Sequence, residues 1–285
     1  MKVIKEITSR DNGIFKLIRS LKVRKNRTRE ALFVVEGPKQ VTEALRGRYS
    51  IKYIAFRNDF PHNSPSDFSK RPELVLKDRL EGFDSHKIQD TEDIVMLNSR
   101  LFKELSDTET DQGVLAVIKR EDLTVEDFVD LAGRSSNILA LDRVQDPGNV
   151  GTLIRTAEGA GFKGIVTLKG TGDPYGPKAV RAAGGAILRL PHIMLENPEE
   201  LKIMADIGGK KIATTSVCNG IPYYQADLSE NLILVMGNEG NGVSGEVEGL
   251  SELSLNIPTE GELESLNVAT AGAILMMDSL RQRRS

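Results

Sequence analysis

A strand, turn and helix signal between Ile138 and Phe162 constrains the fold of this chain more than any other stretch. The apolar run Ile138–Leu141 predicts a short buried strand, and the polar turn Asp146–Asn149 follows it. A strand that leads through a turn into a helix is typical of α/β folds. The helix is predicted because apolar residues recur at spacings i, i+3, i+4 and i+7, which gives one buried stripe of Val150, Leu153, Ile154 and Ala157.

One arginine, Arg155, lies on this predicted helix outside the buried stripe. Helical side chains lean toward the helix N-terminus, and Gly151 lies four residues earlier on the same face, so we expect open space above the guanidinium. Unpaired backbone N–H groups at a helix start also favour anions. The segment therefore predicts a site for a phosphate, a carboxylate or a ribose.

Composition narrows the class of protein. The chain has 285 residues, enough for one large domain or two ordinary ones, and no apolar run approaches the roughly 18 residues that a membrane span needs. Its start has no apolar core like that of a signal peptide, and the single cysteine, Cys218, fits a reducing compartment, so we expect a cytoplasmic protein. With one cysteine and three scattered histidines (His62, His86 and His192), no metal site is expected.

The net charge of −3 hides an uneven distribution. The first 30 residues contain ten basic and three acidic side chains, so they carry +7 and the remainder of the chain carries −10. A basic arm on an acidic body indicates a local contact with a polyanion, and the candidate residues are Arg24, Lys25, Arg27 and Arg29. A solvated basic helix face is the alternative, and charge alone leaves both open.

Alternating helix and strand signals predict two α/β domains. Residues 1–118 form the first, with a helix over 13–25, a strand at Leu74–Leu76 and a helix around Asp93–Leu105. Residues 119–136 are polar and acidic and form the predicted linker, part of it a short helix. Residues 137–285 form the second domain, with predicted strands at Ile138–Leu141, Gly164–Leu168, Ala186–Leu190, Ile212–Val217, Leu232–Met236 and Leu253–Ile257.

Two more turns follow predicted strands of the second domain. After Leu232–Met236, Glu239 lies among glycines at the carboxyl end of a strand, where α/β sheets bind ligands. Ser265 or Asn267 can cap a last helix over Leu266–Arg283. The apolar face of that helix is predicted to hold Leu266, Ala273, Ile274 and Met277, and Ala269, Gly272 and Ala273 are small enough for close helix or subunit packing.

Any one of these turns occurs in many α/β proteins, and the first also resembles a dinucleotide-binding turn. It lacks the G-x-G-x-x-G pattern, because only Gly148 and Gly151 are present, which argues against a nicotinamide cofactor. A ligand site is therefore favoured only by the three turns taken together and in order.

In that order the turns resemble one family, the SpoU (TrmH-type) branch of the SPOUT superfamily of RNA ribose 2′-O-methyltransferases. The family pattern N-x-G-x-x-x-R corresponds to Asn149, Gly151 and Arg155, and its G-x-E-x-x-G corresponds to Gly237, Glu239 and Gly242. Its third motif corresponds to Ile257, Pro258, Ser265, Leu266, Asn267 and Val268. The chain departs from many relatives at Ala269 and Ala183, where serine is common; Ala183 offers no hydroxyl to RNA.

The resemblance implies an α/β parallel-sheet domain with a deep trefoil knot, preceded by a smaller α/β RNA-binding module. It implies methyl transfer from S-adenosylmethionine to a ribose 2′-hydroxyl of RNA, most simply large-subunit rRNA, in a homodimer whose active site is shared between subunits. A tRNA ribose methyltransferase is one alternative. A non-catalytic RNA-binding or ribosome-assembly factor of the same fold is another, and a metabolic α/β enzyme is a third.

The resemblance also implies roles for individual residues. The catalytic candidates are Asn149, Arg155, Glu239, Ser265 and Asn267. The cofactor candidates are Thr214, Thr215, Ser216, Gly237, Asn238, Glu239, Gly240, Ile257, Pro258, Leu266 and Asn267. Lys178 and Arg181 lie one helical turn apart and join the basic arm as candidates for RNA phosphates, with solvated surface as the alternative.

Overall fold

The computed structural model describes residues 4–59, 90–216, 220–260 and 265–284. The expected strand at Leu74–Leu76, Cys218 and two histidines, His62 and His86, lie outside these ranges. The described residues form two compact units, one within Met1–Glu121 together with Tyr175–Arg181, the other within Asp122–Pro174 together with Ala182–Ser285. Each unit has its own sheet.

The first unit is an α/β layer with a mixed sheet. Its elements are β1 (Ile4–Ile7), α1 (Gly13–Ser20), α2 (Arg24–Glu30), β2 (Leu32–Glu36), α3 (Pro38–Arg46), β3 (Ile51–Arg57), β4 (Asp93–Leu97), α4 (Ser99–Leu105) and β5 (Val114–Lys119). The strand order is β1-β4-β3-β5-β2. The first three of these strands are parallel, and β5 is antiparallel to both of its neighbours.

Two helix predictions in this unit need correction. The helix expected over 13–25 is two helices, because α1 ends at Ser20 and α2 begins at Arg24. The helix expected around Asp93–Leu105 is wrong in its first half, which is strand β4 between β1 and β3. Helix α4 begins only at Ser99, because the Asn98 side chain caps it by accepting from the Leu101 N–H at 2.9 Å.

The second unit carries a parallel sheet with helices, as expected for its α/β class. Its elements are α5 (Val125–Ala132), β6 (Ile138–Leu141), α6 (Pro147–Gly159), β7 (Gly164–Leu168), a 3₁₀ turn (Ala186–Leu188), β8 (His192–Leu195), α8 (Glu199–Gly208), β9 (Lys211–Thr215), β10 (Ile221–Pro222), β11 (Leu232–Met236), α9 (Gly245–Glu248), β12 (Leu253–Asn256) and α10 (Val268–Arg284). Helix α7 (Pro177–Ala183) belongs mostly to the first unit.

The strand order of this sheet is β10-β12-β9-β11-β6-β7-β8, and every pairing in it is parallel. The carboxyl ends of β6, β9, β11 and β12 therefore lie at one edge, from which the candidate loops emerge. The trefoil knot remains a prediction of the resemblance. Helix α5 lies in the stretch that composition predicts as a linker. None of the helices in the described ranges has the length and apolarity to cross a membrane.

The predicted strand Ala186–Leu190 is wrong. Ala186–Leu188 form a 3₁₀ turn after Gly185, which adopts a φ of +92°, and the strand comes later, at His192–Leu195. A short buried apolar run carries no periodicity of its own, so pattern alone does not separate a strand from a buried turn of helix.

Helix α6 matches its prediction, whereas α10 buries a different face from the expected one. Val150, Leu153, Ile154 and Ala157 are all fully buried. In α10 the buried residues are Val268, Ala269, Gly272, Leu275, Met276 and Ser279, and Met277 is 50% exposed. Close approach selects this face, because a Cβ atom on Gly272 would lie 2.3 Å from Cδ2 of Leu153 on α6.

Candidate functional site

Hydrogen bonds between side chains join the three candidate loops of the second unit. The Asn267 side-chain amide, before α10, donates to the Asn149 side-chain carbonyl on α6 at 3.2 Å. The Asn149 amide in turn donates to the carboxylate of Glu239, in the loop after β11, at 3.0 Å. One residue from each motif therefore takes part in a single chain of hydrogen bonds.

Glu239 is the anchor of this chain. Its carboxylate also accepts from the backbone N–H groups of Gln145 and Asp146, both at 3.2 Å. Partial burial works to raise the pKa of Glu239, but the hydrogen bonds from Asn149 and from the backbone outweigh it, so the pKa lies below its ordinary value of 4.5. The carboxylate is ionised at neutral pH and holds the Asn149 side chain in place.

The loop after β11 is closed by contacts that only a glycine permits. A Cβ atom on Gly237 would lie 2.3 Å from the carbonyl carbon of Gly242 and from the nitrogen of Val243. The backbones of Asn238 and Gly242 exchange two hydrogen bonds, at 2.8 and 3.0 Å. The Asn238 amide also donates to the Arg143 carbonyl at 2.9 Å, which ties this loop to the one after β6.

These loops border a cavity of about 520 Å³, a size typical of a small-molecule site. Most of the predicted cofactor residues line it: Thr215, Ser216, Gly237, Asn238, Glu239, Gly240, Ile257, Pro258 and Leu266, together with Ser265. Gly242 and Val268, named from the sequence as motif residues without a cofactor role, also line it, and sequence reasoning missed Gly220, Met236, Leu255, Asn256, Thr259 and Ala271. Several of these end a parallel strand or begin the loop after it, which is the signal that could have identified them.

Two predicted residues lie elsewhere. Thr214 is buried, and its hydroxyl lies 3.1 Å from that of Ser251, so it supports the sheet and does not line the cavity. Asn267 does not line the cavity either: its side-chain carbonyl caps α10 by accepting from the N–H groups of Ala269 and Thr270 at 2.9 and 3.2 Å. Their roles toward a cofactor stay predictions.

Arg155 is exposed on α6 and does not line this cavity. Within the described ranges its guanidinium makes no hydrogen bond or ion pair. The expected anion site at the start of α6 is not open, because the Asp146 carboxylate caps the helix and accepts from the N–H groups of Gly148 and Asn149 at 2.7 and 3.0 Å. On this helix Arg155, and not the helix start, is therefore the group available to an anion.

The candidate RNA-binding residues all belong to the first unit but differ in exposure. Arg24, Lys25 and Arg29 are exposed on α2, and Arg29 pairs with Glu30 at 2.8 Å. Arg27 is only 5% exposed and donates to the carbonyls of Leu21 and Lys22 at 2.6 and 2.9 Å. It caps the end of α1 and does not present its charge to solvent.

The remaining two candidates, Lys178 and Arg181, are exposed, and Arg181 donates to the Asp107 carbonyl at 3.4 Å. The part of the chain that the structure describes contains no cluster of His, Cys, Asp and Glu that could hold a metal ion.

Comparison with known proteins gives matches over both units. Residues 136–277 match the SpoU rRNA Methylase family, and residues 12–116 match the MRM3-like substrate binding domain. The chain is 33% identical to the Bacillus subtilis 23S rRNA (guanosine(2553)-2'-O)-methyltransferase RlmP, covering 96% of this chain and 98% of the relative.

Two other matches also span nearly the whole chain. The Streptomyces viridochromogenes 23S rRNA (uridine(2479)-2'-O)-methyltransferase is 25% identical, covering 99% of this chain and 93% of the relative. A crystal structure of an AdoMet-bound rRNA methyltransferase from Sinorhizobium meliloti matches with a TM-score of 0.82 and 28% identity, over 98% of each chain.

Proposed function

This chain belongs to the SpoU rRNA methylase family, and we propose that it methylates a ribose 2′-hydroxyl of large-subunit rRNA with S-adenosylmethionine as the methyl donor. The carrying observation is the chain of hydrogen bonds from Asn267 through Asn149 to Glu239, which unites the three motifs beside the cavity. Full-length similarity to two 23S rRNA methyltransferases supports the large-subunit target. An rRNA target also supports a cytoplasmic location.

The cavity residues suit S-adenosylmethionine. Met236, Leu255 and Ile257 offer an apolar surface for the adenine, and the bare glycine loop beginning at Gly237 lets main-chain groups approach a ligand. Glu239 adds one anionic group to the lining of a cavity for a cationic donor. When bound, this cofactor supplies an already activated methyl group, so the protein's task is to align the acceptor and exclude water.

We assign Arg155 to the acceptor. A guanidinium is effectively never deprotonated in proteins, so it does not act as the base. Its charge instead holds the RNA phosphate beside the target ribose and stabilises the negative charge that develops on the 2′-oxygen. A phosphate oxygen or a water molecule takes the proton. Arg155 suits this role because it is exposed and has no partner among the described residues.

The site is completed by a second copy of the chain. Arg155 does not line the cavity of its own chain, which supports an arrangement in which one protomer supplies the cavity and its partner the arginine. Exposed apolar side chains of the second unit are candidates for such an interface, among them Ile221, Tyr224 and Met277, at 41%, 57% and 50% exposure. Met277 belongs to the face of α10 that the sequence predicted to be apolar, and this face is exposed at Met277.

Mapping of ribose methylation tests the reaction and its target. Ribosomal RNA from cells that lack this protein should lose one 2′-O-methyl group, and the purified protein with S-adenosylmethionine should restore it at the same nucleotide. Loss of a methyl group from tRNA instead would move the enzyme to a tRNA target. Binding of RNA without any heat of S-adenosylmethionine binding in calorimetry would contradict an enzymatic role.

Mixed dimers test the shared site. Arg155→Ala and Gly237→Val should each be inactive, the first in the acceptor site and the second in the cavity. Random mixing makes half of the dimers hybrid, and each hybrid has one intact site, so activity should recover to about a quarter of wild type. No recovery, with hybrid formation shown by two affinity tags, would place Arg155 and the cavity of one chain in the same site.

A further inference from the structure

A short stretch of the chain, Tyr175–Arg181, packs with the first unit, although the elements before and after it belong to the second. It contains most of helix α7. It also lies inside residues 136–277, which match the methylase family, and outside residues 12–116, which match the substrate binding domain. The first unit therefore includes a piece of chain that similarity assigns to the methylase domain.

Tyr175 anchors this stretch in the first unit. It is only 2% exposed, and the centre of its ring lies 4.6 Å from that of Phe33 on β2. The Cζ atom of Arg120 lies 4.7 Å from the centre of the Tyr175 ring, which is a cation–π contact. The hydroxyl groups of Tyr175 and Tyr49 are hydrogen-bonded. Buried aromatic pairs stabilise packing beyond the area that they bury, so this ring fixes the start of the stretch.

Arg181, at the other end of the stretch, contacts a loop of the first unit that also binds a cation of the basic arm. The Arg181 guanidinium donates to the carbonyl of Asp107 at 3.4 Å, and the Lys22 ammonium lies 3.3 Å from the Asp107 carboxylate. Lys22 also donates to the Ser106 carbonyl at 2.8 Å. The Glu36 carboxylate fixes the loop, because it accepts from the Asp107 N–H at 3.1 Å. Two cations from distant parts of the chain therefore meet at one residue.

Little free space separates the anchor from these cations. Tyr175 and Pro177 line a gap of about 10 Å³ together with Lys22 and Asp107, and a single water molecule already needs about that volume. Arg181 lies one helical turn beyond Pro177 on α7, so its position relative to Lys22 depends on where Tyr175 packs. Arg181 and Lys22 are both exposed.

We propose that the stretch Tyr175–Arg181 completes the RNA-binding face of the first unit, with Arg181 and Lys22 as phosphate contacts and Tyr175 as the positioning residue for Arg181. A guanidinium has five N–H donors, and the contact with Asp107 uses one of them, so donors remain for a phosphate. Two cations that meet at one residue suit the closely spaced phosphates of a nucleic-acid strand. The inference deepens the proposed function and rests on it, because it takes RNA as the ligand.

The salt dependence of RNA binding tests these roles, because each phosphate contact that is lost lowers the slope of log K against log salt by about 1. With large-subunit rRNA as the probe, Arg181→Ala should weaken binding about two- to threefold and lower the slope by about 1. Tyr175→Ala should lower the slope equally, although it removes no charge, and adding Arg181→Ala to it should lower the slope no further. Tyr175→Phe keeps the ring and should bind RNA like wild type.

A structural loss alone would lower the Tm without changing the number of phosphate contacts. The salt slope is therefore compared at a temperature where circular dichroism shows that each variant is folded. A folded Tyr175→Ala variant that keeps the wild-type slope would overturn the proposal, and so would an unchanged slope in Arg181→Ala.

A second measurement leaves the anchor intact. Asp107→Asn removes the acidic charge at which the two cations meet and keeps the backbone carbonyl, so RNA affinity should rise about two- to threefold. Asp93→Asn is the matched control, because Asp93 pairs with Lys5 at 2.7 Å on β1, at the opposite edge of the sheet from β2. This control should leave RNA affinity unchanged. No rise in Asp107→Asn, or an equal rise in both variants, would overturn the proposal.

Methyl transfer is measured separately in the same proteins. Wild-type salt slopes in every variant of a chain that methylates rRNA would overturn this inference and leave the proposed function standing. The expected slopes in a chain that methylates no RNA would support the RNA-binding face and overturn the proposed function.

Discussion

The polar side chains at the start of helix α6 are hydrogen-bonded within the protein, whereas the charged side chain in its middle is not. At its start, Asp146 caps the backbone and Asn149 is bonded on both sides, to Glu239 and to Asn267. Six residues later, about 9 Å along the axis, the Arg155 side chain has no hydrogen bond or ion pair anywhere in the described ranges. The same helix therefore has polar side chains that are fully hydrogen-bonded within the protein and one charged side chain that is not.

The contrast separates groups that build a site from groups that meet a ligand. A polar group satisfied within the protein fixes loop geometry, whereas an unsatisfied charge on the surface remains available to an external anion. The first unit repeats the pattern on one short helix, where Arg27 is buried in backbone contacts and Lys25 is exposed without a partner among the described residues. Substitutions at each kind of group should have different signatures.

The largest effect is expected at Arg155. Arg155→Ala should lower kcat by roughly 10³-fold, because a charge that stabilises a developing oxyanion is worth about 4 kcal/mol. Affinity for S-adenosylmethionine and the Tm should stay near wild type, since the side chain has no internal partner to lose. Arg155→Lys is the charge control and should remain well below wild type, because lysine lacks the planar fork. Normal turnover in Arg155→Ala would show that Arg155 does not act on the RNA acceptor.

The next effect is expected in the glycine loop. Gly237→Ala should weaken S-adenosylmethionine binding at least tenfold and lower the Tm, because its Cβ atom would overlap the backbone of Gly242. Gly240→Ala is the matched control, since the nearest atom to its Cβ, the Asn238 side-chain oxygen, is 3.7 Å away. Calorimetry and thermal unfolding measure both. Equal losses of affinity and Tm in the two variants would show that the close contact between Gly237 and the Gly242 backbone does not hold this loop.

A smaller effect is expected at Glu239. Glu239→Gln replaces one acceptor oxygen with an amide donor, which faces the N–H groups of Gln145 and Asp146, so Asn149 should lose its fixed position and kcat should fall about tenfold. The effect on the free energy of unfolding at pH 7 should stay below about 1 kcal/mol, because the side chain is exposed and solvent screens it.

The pH dependence at Glu239 follows from its lowered pKa. The stability that the carboxylate contributes is fully present above its ordinary value of 4.5 and is lost as the pH falls from there through the lower pKa of the folded state. Wild type should therefore lose more stability than Glu239→Gln when urea unfolding is repeated in this acidic range. Parallel curves for the two proteins would contradict the assigned hydrogen bonds.

The smallest effects are expected in the basic arm. Lys25→Ala should weaken RNA binding two- to threefold, reduce the slope of log K against log salt by about 1, and leave the Tm unchanged. Arg27→Ala should lower the Tm with little change in that slope, because the Arg27 guanidinium is buried and donates to the carbonyls of Leu21 and Lys22. A salt slope that falls equally in both variants would place Arg27 at the RNA.

Sequence alone was enough for the features that depend on neighbouring residues. Apolar spacing identified the buried stripe of α6, and the runs Ile138–Leu141, Gly164–Leu168 and Leu232–Met236 are strands over those very bounds. The order of three polar turns identified the family. These features follow from local periodicity and from residue types at fixed spacing, which a single sequence contains.

Tertiary structure decided what depends on a distant partner. Gly272 packs against Leu153, so α10 buries the face that contains Gly272, Leu275 and Met276, and the expected face with Met277 lies toward the surface. In sequence Arg27 is one of several cations of the basic arm, and only the fold shows that it donates to the carbonyls at the end of α1. Thr214 and Thr215 are the same residue type, and only the fold shows that Thr214 is buried beside Ser251 while Thr215 lines the cavity. Spacing along the chain records which residues share a face, but the neighbour that packs on that face is set by segments far away in sequence.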